Sequence, residues 1–109
     1  MPTGLDHLPP EILGRLRQTY LGHLSETRGA VAPLVEKAIA RTAAHDDYAA
    51  LRHMAHKLGG SGASYGYERL STAGKALDGL LRTEAGATEA IGRAAVDLLA
   101  AIDEALADV

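Results

Sequence analysis

Arg52-His53-Met54-Ala55-His56-Lys57-Leu58-Gly59-Gly60-Ser61-Gly62-Ala63-Ser64-Tyr65-Gly66 is the stretch on which the fold turns. Leu51, Met54, Ala55, Leu58 and Gly62 recur at i, i+3, i+4, i+7 and i+11, the spacing of one helical face. Gly59, Gly60 and Gly62 sit inside this pattern. Each glycine costs roughly 1 kcal/mol relative to Ala in a helix interior, so the helix is expected to need bare backbone there. Tyr65-Gly66-Tyr67 reads as its end, with Gly66 as the C-terminal residue.

The same periodicity continues on both sides. Upstream, Pro9 and Pro10 suit a helix entry, because the first turn has no use for their missing N–H. Ile12, Leu16, Tyr20 and Leu24 then predict one apolar stripe, and Val31, Leu34, Val35 and Ala38 another. Pro33 must either kink one long helix or begin a second. His45-Asp46-Asp47 reads as a break with an acidic helix start. Downstream, Leu70, Ala73, Gly74, Leu77 and Leu81 form a third face. Glu84 to Thr88 is expected to turn around Gly86, and Ile91, Ala94, Ala95, Leu98, Ile102 and Ala105 form the last face. The predicted architecture is all-α: an antiparallel, up-and-down four-helix bundle with an additional N-terminal helical segment. Residues 1–9 are read as a tail and 10–109 as the bundle domain.

Composition agrees. A chain of 109 residues fits one domain. With four Tyr and neither Phe nor Trp, its core must be built from aliphatic side chains, and Ala and Leu favour helix. The absence of Cys excludes disulfides and thiolate metal sites. The net charge is -3 and the basic residues are scattered, so no nucleic-acid footprint is expected. Met1 to Pro10 has no apolar core of a signal peptide, and no run of about 18 apolar residues predicts a membrane span. The expected setting is cytoplasmic.

His56 stands out within the glycine-rich helix. Its i+3, i+4 and i+7 positions are Gly59, Gly60 and Ala63, all small, which predicts an open patch beside the imidazole. His56 lies off the Leu51–Leu58 stripe and is expected to reach solvent. Arg52, His53 and Lys57 make the neighbourhood basic on an acidic chain. His53 is a weaker candidate, since its i+3 and i+4 neighbours are His56 and Lys57. His53 and His56 lie one turn apart with His45 nearby, but no clear third ligand accompanies them and no metal site is assigned. Gly60-Ser61-Gly62 and Gly66 follow no strand and precede no Gly-Lys-Ser/Thr, which disfavours a nucleotide loop. Ser61 and Ser64 are read as packing residues.

Ala55-His56-Lys57-Leu58-Gly59-Gly60-Ser61 resembles the signature of histidine-containing phosphotransfer (HPt) domains. Gly66 and Leu70 fall where that family has a downstream Gly and Leu, and Leu77-Asp78 resembles its Leu-acidic pair on the next helix. The resemblance implies a phosphorelay protein that accepts a phosphoryl group on His56 and passes it on, without an ATP-binding or autokinase domain. It implies charge support from Lys57 and Arg52, and a receiver docking face of His53, Gly59, Gly60 and Ala63. The partners would be response-regulator receiver domains and a hybrid histidine kinase. Any Mg²⁺ would sit on the receiver, with no cofactor on this chain, and a monomer is expected in preference to a dimer. One position departs from the pattern: many members carry a Lys three residues after the histidine, where this chain has Gly59. Two other readings stand beside the carrier. One is a phosphorylation-inactive adaptor that docks receivers or a kinase; the other is a purely structural bundle.

Overall fold

The computed structural model describes residues 7–83 and 89–108. Four helices follow one another: α1 (Pro10–Ala40), α2 (His45–Ser61), α3 (Glu68–Thr83) and α4 (Glu89–Leu106). A single 3₁₀ turn, Ala63–Tyr65, follows α2. No strand occurs among the described residues. The helices pack in the cyclic order α1–α2–α3–α4–α1, with α2 and α3 the most intimate neighbours and α1 and α2 the least. The turn expected at Glu84–Thr88 and most of the N-terminal tail lie outside the described residues.

Pro33 neither ends α1 nor begins a new helix. The 31-residue helix runs straight past it in sequence, so the expected additional N-terminal segment is simply the first part of α1. Pro33 deprives the Gly29 carbonyl of its amide partner, and both residues are exposed, where water can take that role. At 1.5 Å per residue α1 is about 46 Å long, far longer than helices of 16 to 18 residues. Its first turns therefore overhang the bundle. Ile12, expected on the core face, is 45% exposed for this reason, and the first α1 residue to be fully buried is Leu24.

Helix ends follow local chemistry. Arg41 closes α1 in the left-handed region (φ 58°), with the Thr42 N–H donating to Lys37 O at 2.9 Å. At the start of α2 the acidic pair lies inside the first turn, two and three residues past the cap, and not at the cap itself. Ala44 is the N-cap, and the Asp47 carboxylate reaches back to accept the Ala44 N–H at 2.8 Å. Gly66 takes φ 91° where the chain turns into α3, a conformation that demands glycine. Arg17, in the overhang of α1, covers this turn by donating from Nε to Tyr65 O at 2.9 Å. Tyr20 stacks on Tyr65 with ring centroids 4.1 Å apart.

The core is aliphatic throughout. Leu51, Ala55 and Leu58 of α2 meet Leu70, Ala73 and Leu77 of α3, closed over by Val31 and Val35 of α1 and by the α4 stripe centred on Leu98 and Ile102. The α2–α3 seam is set by glycine. A Cβ on Gly74 would lie 2.7 Å from both the Ala55 carbonyl oxygen and the Gly59 nitrogen. One on Gly59 would meet Lys75 Cγ at 3.0 Å, and one on Gly62 would meet Ser71 N at 2.9 Å. The buried Ser71 hydroxyl donates to Gly59 O, a last-turn carbonyl with no helical partner. Gly74→Ala should force this seam apart and cost about 1–3 kcal/mol, read as a lower urea midpoint. Gly22→Ala, with open space around it on α1, should instead stabilise by about 0.5–1 kcal/mol.

Candidate functional site

The close α2–α3 seam brings two side chains from different helices together. His56 stands on the solvent side of α2 with 65% of its side chain exposed, and its Nδ1 lies 3.0 Å from Asp78 Oδ2 on α3. Asp78 is largely enclosed, at 13%. A carboxylate can only accept, so in the neutral ring Nδ1 carries the hydrogen and donates it to Asp78. Nε2 then keeps its lone pair at the outer edge of the ring. This is the tautomer and orientation that a nucleophilic imidazole needs.

The second carboxylate oxygen of Asp78 gathers cations. Arg52 Nε of α2 lies 3.3 Å from Oδ1, and Arg82 Nε of α3 lies 3.5 Å from it. The Asp78 carboxyl is held below its ordinary value of 3.8. The His56 hydrogen bond is the main cause; burial opposes it, and the charges of Arg82, His56 and Arg52 reinforce it. Ala49, Arg52, His53, His56 and Arg82 together line a small cleft of about 140 Å³ on this flank.

Several predicted site residues take different places. Gly59, expected on an open docking patch, is buried against Gly74 and Lys75, because α3 uses the bare backbone that a partner was expected to use. Gly62 is consumed in the same way. Gly60 alone of the three is exposed with open space above it. Ala63 is half-buried in the 3₁₀ turn, since α2 stops at Ser61 before an i+7 alignment with His56 is reached. Lys57 lies on the opposite flank from Arg52. It lines a groove between α1 and α2 with Tyr20, Met54 and Gly60, and His53 borders both this groove and the arginine cleft. Ser61, read as a packing residue, shares a 2.8 Å hydrogen bond with the Tyr20 hydroxyl on the groove wall. Asp78 and Arg82 were not among the site residues read from sequence. The Leu77-Asp78 pair was a signal for the first, and the i, i+4 spacing of Asp78 and Arg82 for the second. Among the described residues no group of three or more His, Cys, Asp or Glu is gathered to hold a metal.

An exposed histidine backed by a carboxylate on a four-helix bundle is the arrangement to set against known families. The sequence matches the family model of the Hpt domain over residues 11–109. The chain belongs to the Hpt domain family. No curated protein and no solved structure gives a significant match. Hpt domains act in histidine phosphotransfer phosphorelays as phosphocarrier modules and interact with receiver domains. Among the described residues no helix of this Hpt domain is long and apolar enough to cross a membrane.

Asp78→Asn should release the ring from its fixed tautomer. Nitrogen NMR of His56 is expected to show the Nδ1–H form dominating in the native chain and a mixture in the variant. A lowered carboxyl pKa contributes stability above the unfolded value, and that stability is lost as pH falls through the folded one. The destabilisation caused by Asp78→Asn should therefore be present at pH 7 and shrink below about pH 4, measured by urea unfolding at both pH values.

Proposed function

We propose that this Hpt domain accepts a phosphoryl group on Nε2 of His56 from the aspartyl phosphate of a receiver domain and passes it to a second receiver. The observation that carries this reading is the 3.0 Å contact between His56 Nδ1 and Asp78, which leaves Nε2 as the outward-facing nucleophile. Phosphoryl transfer asks chiefly for positioning and charge neutralisation, so an oriented, exposed imidazole is sufficient on this side of the reaction. The Nε2 lone pair forms the N–P bond while the P–O bond to the receiver carboxylate breaks, its electron pair leaving with that carboxylate. The ring gains positive charge, which the Asp78 carboxylate at the Nδ1–H offsets. Mg²⁺ belongs to the receiver in this scheme. A hybrid histidine kinase would feed the first receiver.

Docking is proposed over Gly60 and His53 and along the α1–α2 groove, where nothing stands above Gly60 to hold a partner away. Lys57 offers positive charge, and His53 a ring N–H, to the acidic pocket of a receiver. Gly59 takes no part, because α3 already covers it.

The direct test is phosphoryl transfer from a panel of phosphorylated receivers to the native chain and to His56→Ala. The native chain should acquire an acid-labile label, and the folded variant should acquire none. Receivers that bind without giving up phosphate would favour the adaptor reading instead. Gly60→Leu should keep the helical content and Tm of the native chain yet slow transfer by at least about tenfold, the effect of losing roughly 1.4 kcal/mol of docking energy. Transfer by this variant at the native rate would remove the docking face from the proposal.

A further inference from the structure

The cleft beside His56 holds more positive charge than Asp78 uses. Arg52 and Arg82 both lie within ion-pair distance of Asp78 Oδ1, at 3.3 Å and 3.5 Å. Neither makes a well-formed hydrogen bond to it, and Oδ1 is a buried oxygen without a hydrogen-bond partner. Among the described residues neither guanidinium has another acceptor. Each turns Nε toward Asp78, the terminal amino groups make no hydrogen bond among the described residues, and each side chain remains about half exposed. Two cations against one carboxylate give the cleft a net charge of about +1 while the imidazole is neutral. The arginines come from different helices, and the cleft they line opens beside the imidazole.

We propose that Arg82 of α3, paired with Arg52 of α2, binds the oxygens of a phosphoryl group carried on His56. The proposal rests on the carrier reading and adds to it a phosphoryl-binding residue from a second helix. Guanidinium forks match phosphoryl oxygens in geometry, and such charge-assisted bonds are about twice as strong as neutral ones. When the N–P bond forms, two negative charges arrive next to the cleft and one positive charge develops on the ring. Asp78 Oδ2 holds the ring proton, and the two guanidiniums turn their terminal amino groups outward to the phosphoryl oxygens. Asp78 is thus shared in the empty state and committed to the ring in the loaded state. The arrangement also offers a source of charge support in a chain that has Gly59 three residues after the histidine.

The test uses phosphoramidate as the donor, so that receiver docking plays no part. The full chain, Arg82→Gln, Arg82→Lys and Arg93→Gln are compared; the last removes an exposed cation of α4 that pairs with Glu89. Phosphorus NMR follows the rate at which phospho-His56 appears and the pH at which its phosphoryl group takes up a proton. Arg82→Gln is expected to slow capture by about tenfold, the effect of one charge-assisted hydrogen bond, and to raise the midpoint of the phosphoryl titration. Arg82→Lys should restore the midpoint in part, and Arg93→Gln should match the native chain in both measurements. A purely structural role for Arg82 would alter melting but not the titration midpoint. Equal rates and equal midpoints in the native chain and Arg82→Gln would overturn the assignment and leave the carrier role standing. A native chain on which phosphoramidate labels no histidine would overturn both.

Discussion

Everything at the site depends on how closely the backbones of α2 and α3 approach. With glycine at 59 and 74, peptide groups of one helix lie where side chains of the other would normally stand. That distance decides whether Asp78 can reach His56. Asp78 is a short side chain, and a seam with glycine at its points of closest approach lets it span two helices and meet an imidazole that remains in solvent. The chemistry of the site is thus a product of packing. The residues that create it bear no functional group at all.

Much of the fold was legible in the sequence, because helical periodicity in Leu, Ile, Val and Ala is a strong signal when aromatics are scarce. The stripes of α2, α3 and α4 face the core as the spacing implied, with Met54, Leu81 and Ala94 partly buried at its margin and the rest buried. Two points were not legible. Pro33 is compatible with either a break or a continued helix, and the outcome hinges on whether water can reach the Gly29 carbonyl, a tertiary fact. Ile12 belongs to a periodic stripe, but periodicity does not say where the neighbouring helices stop, and α1 outruns them.

The site was legible in a different measure. His56 and its basic surroundings follow from helix geometry alone. The meaning of the glycines does not. A run of small residues beside a histidine looks the same whether a partner protein or a neighbouring helix covers it. Here α3 covers Gly59 and Gly62 and leaves Gly60 open. Asp78 and Arg82 lie more than twenty residues from His56, and although the Leu77-Asp78 pair marks the first as a family feature, helical periodicity does not say that either side chain meets the imidazole. Their relation appears only once α3 is laid antiparallel on α2 in the register that Gly74 permits.

The tyrosine stack has an optical consequence. The chain has four tyrosines and no tryptophan, and three of the four, Tyr20, Tyr65 and Tyr67, lie in one stack where the overhang of α1 meets the turn into α3. Tyr20 and Tyr65 also form part of the groove wall next to Gly60 and His53. Most of the intrinsic near-ultraviolet signal of the molecule therefore originates at one edge of the site. Absorbance and emission of the unlabelled protein report chiefly on that edge, with Tyr48 in the first turn of α2 as the one contribution from the other end of the bundle.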